Sequence, residues 1–119
     1  MPELVTRVTV EELPAASGDP ITVLRFSGDI TSASQPAVMG TYEGLPDAVK
    51  RILLDFSKVE YLNSSGIALV IQLLIEAANA GQKVAAFGLS AHFTKVFTMV
   101  GITKYAGLVP TQAEALAAL

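Results

Sequence analysis

The residues best placed to do chemistry in this chain are Asn63, Ser64, Ser65 and Gly66, two adjacent hydroxyls between an amide and a glycine. They follow a stretch that reads as a buried strand, Ile52 to Phe56, and a short polar turn. They precede a strongly apolar segment whose spacing predicts a helix over residues 64–80. The first N–H groups of a helix lack internal partners and carry the positive end of its dipole. A phosphate on a hydroxyl at that spot is electrostatically favoured and changes the local surface abruptly. The bland reading is that Ser64 and Ser65 are ordinary helix caps, since serine is among the commonest residues there. Gly66 weighs against it: a bare helix glycine costs roughly 0.8–1.0 kcal/mol against alanine, so something is expected to approach the backbone closely.

Other candidate chemistry is thin. His92 is the single histidine and reads as a surface residue early in a helix. A serine hydrolase needs a nucleophile on a strained elbow with a paired base, and Asn63-Ser64-Ser65-Gly66 is not that elbow. A serine-nucleophile enzyme is kept as a distant alternative, and the expectation is a non-enzyme. No glycine-rich phosphate loop followed by lysine occurs, and Gly28-Asp29 forms no nucleotide fingerprint. Asp19, Asp29, Asp47 and Asp55 are scattered without metal-ligand spacing, Asp55 reading as the close of a strand. No cofactor and no metal are expected.

These groups sit in a chain of 119 residues, which suits one domain spanning residues 1–119. Its composition is 51% hydrophobic and 16% charged, against about 25% charged in typical domains, so a compact fold with spare apolar surface is expected. A net charge of −3 argues against nucleic acid as a partner. The absence of cysteine excludes a disulfide framework and fits a cytoplasmic home. No secretory signal and no membrane insertion are expected: the longest oily stretch, Ile67 to Ile75, falls far short of the ~20 residues a span needs.

Strands and helices alternate along the chain. Leu4 to Val10 reads as an edge or half-buried strand, Leu13 to Pro20 as a turn rich in Pro, Ser, Gly and Asp, and Ile21 to Phe26 as a second strand antiparallel to the first. Ser27 to Thr31 closes that strand, and a helix through Ser34 to Val49 follows, interrupted by Pro36, Gly40, Gly44 and Pro46. In the helix at 64–80, Ile67, Val70, Ile71, Leu74 and Ala78 form the inner stripe. Leu69 and Leu73 then fall beside Gln72 and Glu76, which suits a binding face; the bland alternative is a helix buried over a wider arc. Val84 to Phe87 reads as a strand, and Ser90 caps a helix with Phe93, Val96, Phe97 and Val100 inward and Gly101 at its end. Tyr105 to Val109 supplies a last strand before Thr111, whose capping box with Glu114 starts an alanine-rich helix. The expectation is an α/β fold: a mixed, mainly parallel sheet of four to five strands with about four helices.

With those elements in order, the chain resembles the STAS domain, shared by bacterial anti-sigma factor antagonists and the cytoplasmic tails of sulfate transporters. The resemblance rests on Phe26-Ser-Gly-Asp-Ile30, Leu54-Asp-Phe-Ser-Lys-Val59 and Tyr61-Leu-Asn-Ser-Ser-Gly-Ile67, joined by Gly81-Gln-Lys-Val84 running on to Gly88-Leu-Ser90, and by Met99-Val-Gly-Ile102. In the family the motif at the helix start is Asp-Ser-Ser/Thr-Gly, and its first serine is phosphorylated by the partner kinase. That serine corresponds to Ser64, with Ser65 as the alternative acceptor. Two departures stand out. Asn63 replaces the family's aspartate, keeping the cap and losing the charge. Thr31 stands where many antagonists carry an aspartate after the second strand, with Asp29 two residues earlier.

The resemblance implies an anti-sigma factor antagonist that docks on an anti-sigma factor of the histidine-kinase-like ATPase type and so frees a sigma factor. The implied docking residues are Asp29, Thr31, Ser32, Asn63, Ser64, Ser65, Gly66, Leu69 and Leu73. Phosphorylation of Ser64 by that anti-sigma factor and serine kinase places roughly −1.5 to −2 charges in the interface and switches it off. Inside the same fold the rival is a STAS subunit never phosphorylated, serving a lipid-transport ATPase or a signalling scaffold. Oligomeric state is left open.

Overall fold

A computed structural model of the chain describes residues 5–14 and 18–119. Leu4 of the expected first strand, and Ser17 with its two preceding alanines in the expected turn, lie outside them. Five strands, β1 (Arg7–Leu13), β2 (Ile21–Ile30), β3 (Arg51–Leu62), β4 (Lys83–Phe87) and β5 (Gly107–Val109), form one sheet in the order of the sequence. β1 pairs antiparallel with β2, and every later pairing is parallel. The helices are α1 (Gln35–Glu43), α2 (Ser64–Asn79), α3 (Ala91–Met99) and α4 (Gln112–Ala118). The mixed, mainly parallel sheet with four helices matches the sequence-based expectation.

Side-chain alternation along the strands divides the interior in two. Leu24, Phe26, Ile52, Leu54, Phe56, Val84 and Ala86 point to one face and join buried side chains of α1, α2 and α3 in the main core. Phe26 and Phe56 stack there with ring centroids 5.0 Å apart, and Phe97 of α3 lies tilted against Phe56 at 6.4 Å. Ile21, Val23, Leu53, Ala85 and Phe87 point to the other face, where Ala115 of α4 covers them. Short parallel strands of β-branched and apolar residues suit a sheet clothed on both sides.

Several elements run differently from the sequence reading. β2 continues through Ile30 and β3 through Leu62, so residues 57–62 are strand and not turn. The paired extensions carry two register shifts, between Arg25 and Ser27 and between Gly28 and Asp29, with Gly28 at φ 84°. Such bulges hide strand character, because inserted residues break the period-two alternation. α1 is shorter than expected, ending at Glu43 before Gly44 and Pro46. Asp55 lies within β3 instead of closing it. In α3 only Phe97 is fully buried; Phe93 and Val96 are half-buried and Val100 is exposed. The last strand contracts to three residues, the segment before it including a 3-10 turn at Ile102–Lys104. Among the described residues no helix is long and apolar enough to cross a membrane.

Candidate functional site

The leading turn of α2 is held by a chain of local contacts. Asn63 is extended, and its side-chain oxygen accepts the Gly66 N–H at 2.8 Å while its carbonyl accepts the Ile67 N–H at 2.9 Å. The Asn63 N–H donates to the Ile30 carbonyl at 3.3 Å, tying the start of α2 to the end of β2. Gly66 packs on that same carbonyl so closely that a Cβ built on it would lie 1.9 Å from the oxygen. The close approach expected at Gly66 is therefore internal: β2 supplies it.

With Asn63 serving the third residue of the helix, the N–H groups of Ser64 and Ser65 have no helical carbonyl to reach. Both side chains are exposed, and the first turn of α2 contains no acidic residue. Among the described residues the Ser64 hydroxyl has no hydrogen-bond partner, and His92 offers it no base. The site presents an unengaged hydroxyl beside free amide donors, an arrangement ready for a dianion and lacking a nucleophile's activation.

Beside it runs a shallow groove of about 270 Å³ between the β2–α1 connection and α2, lined by Ser32, Gln35, Ser65, Ala68, Leu69 and Gln72. Ser32 is exposed at its rim and Asp29 is half-buried nearby in sequence. Ser32, Ser64 and Ser65, together with half-buried Asp29 and Asn63, are thus the expected docking residues that reach the surface.

Four of the expected docking residues are buried. Thr31 is only 4% exposed. Its side chain accepts the Ala33 N–H at 3.2 Å and its N–H donates to the Ser34 Oγ at 2.9 Å, a capping box turned into the protein. Gly66 is buried against Ile30. Leu69 and Leu73 are 5% and 1% exposed, because α1 packs beside α2 and both leucines enter the core that Val38 and Met39 share. The buried stripe is Gly66, Leu69, Val70, Leu73, Leu74 and Ala77, while Ala78 is exposed. Leu69 still contributes as part of the groove wall.

One surface residue escaped the sequence reading. Tyr61, 53% exposed on the β3 extension, meets Phe93 of α3 edge-on with centroids 6.4 Å apart. It stands three residues before Ser64 in the sequence. The strand spacing that would mark Tyr61 and Leu62 in the sequence is masked by the register shifts between β2 and β3.

On the opposite face of the sheet, Arg25 joins Asp55 at 2.7 Å, Glu11 at 2.6 Å and the Gln112 side chain at 3.1 Å. Burial pushes the Asp55 carboxyl upward, but the Ser57 hydroxyl and N–H and the Arg25 guanidinium together hold it below the usual carboxylate range. The hydrogen bonds that Arg25 donates to Glu11 and then to Asp55 hold its own pKa above the ordinary arginine value. Every charge in this cluster is engaged, and it fastens the start of α4 to β2 and β3. Among the described residues no group of side chains could hold a metal ion.

Comparison with known proteins bears on the same elements. A family model described as "Mlab, STAS domain" matches residues 15–110. An anti-sigma factor antagonist from Mycobacterium paratuberculosis is similar in structure at 22% identity, with 96% of this chain and 93% of that one covered and a TM-score of 0.73. The Bacillus cell fate determinant SpoIIAA in its phosphorylated form aligns at 20% identity over 92% of this chain and 96% of its own, with a TM-score of 0.68. Murine Slc26a9, an anion transporter, shares the fold over 96% of this chain but 22% of its own length, at 12% identity and a TM-score of 0.70. No curated protein sequence matches.

Proposed function

The chain belongs to the STAS domain family, and from that premise we propose that it is an anti-sigma factor antagonist switched by phosphorylation of Ser64. The observation that carries this reading is the exposed, unpartnered Ser64 hydroxyl on the leading turn of α2, beside a groove that a partner helix or loop can enter. The partner is an anti-sigma factor of the histidine-kinase-like ATPase type, which doubles as the serine kinase, and the setting is the bacterial cytoplasm. Unmodified, the protein docks through Asp29, Ser32, Asn63, Ser64, Ser65 and the groove that Ser32 and Ser65 line. The docked anti-sigma factor releases its sigma factor.

The γ-phosphoryl group of ATP is transferred to the Ser64 oxygen, the hydroxyl proton leaving to the kinase's base and ADP departing. The new group brings roughly −1.5 to −2 charges. A desolvated charge without a counterion costs several kcal/mol, more than the ~1.4 kcal/mol needed for a tenfold loss of affinity. Asn63 removes the negative neighbour that an aspartate would place there, so the dianion meets less repulsion. The fold need not change; charge and bulk at one turn suffice.

The test is incubation with the candidate kinase and ATP, the phosphosite being located by mass spectrometry. Label at Ser64, unchanged binding by Ser64→Ala, and at least about tenfold weaker binding by Ser64→Glu are expected. Phosphate confined to Ser65, or a Ser64→Glu variant that binds like wild type, would overturn the assignment.

A second reading within the fold is an unphosphorylated STAS subunit that grips a lipid-transport ATPase or signalling scaffold permanently through the same turn. Recovery of a transporter subunit with the native protein, and of no kinase, selects this reading. An enzyme using Ser64 as nucleophile lacks a base at the hydroxyl, and a fluorophosphonate probe is expected to leave the protein unlabelled.

A further inference from the structure

β1 is the outer strand of the sheet, and among the described residues only β2 pairs with it. The two edges are built differently. β5 is only three residues long, which leaves little backbone to pair with. β1 has seven residues, no proline or glycine, and an unbroken register from Arg7 opposite Ser27 to Leu13 opposite Ile21. Its outward row of N–H and C=O groups is long and regular, which makes it a template for another strand. Apolar side chains accompany it: Val10 is 53% exposed and Val5, just before the strand, 77%.

We propose that β1 pairs antiparallel with β1 of a second copy of this chain, about a two-fold axis through Thr9, joining two sheets into one of ten strands.

The register follows from charge. Centring the pair on Thr9 sets Arg7 opposite Glu11 twice, Val8 opposite Val10 twice and Val5 opposite Leu13 twice. Each cation faces an anion and each exposed valine an apolar neighbour, the pairings that stabilise antiparallel strands. Moving the axis to Val10 sets Arg7 against Leu13 and Val8 against Glu12; moving it to Glu11 sets two carboxylates face to face. Only the Thr9-centred arrangement satisfies both charge and hydropathy.

The opposite-face ion pairs prepare one half of this contact. Glu11 already accepts from Arg25 of its own chain and keeps half of its side chain in solvent. Arg7 lies on the same side of β1, is exposed and makes no ion pair among the described residues. In the dimer it meets the free side of the partner's Glu11, so that the row Arg25–Glu11 continues across the axis to a second guanidinium. The occupant is a copy of this chain because the strand is complementary to itself at one register. This pairing stands apart from the Ser64 site and does not depend on its reading.

The chain contains no cysteine, so a single introduced thiol reports on its own copy alone. Under mild oxidation Thr9→Cys is expected to form a disulfide-linked dimer, because residues directly opposite on paired strands fall within disulfide reach. Val10→Cys and Glu12→Cys, displaced from the axis, are expected to stay monomeric on denaturing gels. Sedimentation of the full chain is expected to show a dimer that Arg7→Glu and Glu11→Arg each weaken by at least about tenfold and that a one-to-one mixture of the two variants restores. Lys104→Glu changes net charge as Arg7→Glu does and is expected to leave the dimer intact. A wild-type protein that is monomeric at all accessible concentrations overturns the proposal. Cross-linking at residue 10 or 12 in place of 9, equal weakening by Lys104→Glu, or a mixture of folded variants that stays monomeric does the same.

Discussion

Gly66 has no room for a side chain, and the glycines of α2 and α1 make opposite predictions for that reason. A methyl group on Gly66 would collide with the Ile30 carbonyl, a backbone atom held by the Asn63 N–H and unable to swing away. Gly66→Ala is expected to lower stability by about 3 kcal/mol, the upper range of overpacking, and to tilt the leading turn of α2 away from β2. Gly40, exposed within α1, meets nothing within 4 Å of a built Cβ. Gly40→Ala is expected to stabilise by roughly 0.5–1 kcal/mol by removing unfolded-state freedom. Urea unfolding of the two variants beside wild type checks both signs. Asn63 sits between these cases: its amide already caps Gly66, so an aspartate there changes the charge beside Ser64 while leaving the cap in place.

At the scale of elements, the Arg25–Asp55 pair joins β2 to β3 and, through Gln112, holds the start of α4. The Asp55 carboxyl is held below its ordinary value, so the ion pair's stabilisation is fully present above the unfolded value of about 3.9 and is lost as pH falls through the folded one. Asp55→Asn is expected to cost about 1–3 kcal/mol at neutral pH, and its deficit against wild type to narrow below about pH 4. Urea titrations at a series of pH values measure that gap; one that stays constant to the acid limit of folding would contradict the pair's role. The sequence reading stopped short at this cluster because Arg25, Asp55 and Gln112 are far apart in the chain and only sheet order and α4 packing bring them together.

Elements with local signals were legible: Asn63, Ser90 and Thr111 cap their helices as read, and α2 begins at Ser64 as expected. The phase of α2 was not. Ile67 to Ile75 is apolar at all but one position, so hydropathy alone cannot say which side faces inward. The buried stripe runs from Gly66 at helical spacing, and that glycine, read as a close-contact point, already marked the inward side. Thr31 turns inward for a reason equally local. Its hydroxyl was matched to a family position, whereas the local Thr31–Ser34 pair, a reciprocal cap, turns it inward.

Across the whole molecule, the Ser64 turn, the β1 edge and the α4 clamp occupy separate surfaces of one sheet, and binding at the first can change without loss of fold. The core beneath α2 is formed by Leu69, Val70, Leu73 and Leu74, the exposed Ser64 and Ser65 side chains stay outside it, and Asn63 has already satisfied the Gly66 donor. A negative group at Ser64 therefore meets only solvent, the free amides of the first turn and the positive end of the helix dipole. Ser64→Glu is expected to raise the stability of the isolated protein by about 0.3–1 kcal/mol, less at high salt, while weakening partner binding. Phosphorylated protein is expected to shift the same way and further, since the phosphate carries more charge. Thermal and urea unfolding of wild type, Ser64→Glu and phosphorylated protein, each at two salt concentrations, measure this. If Ser64→Glu instead lost binding together with several kcal/mol of stability, the loss would come from unfolding of α2, and charge at an intact docking surface would be the wrong cause.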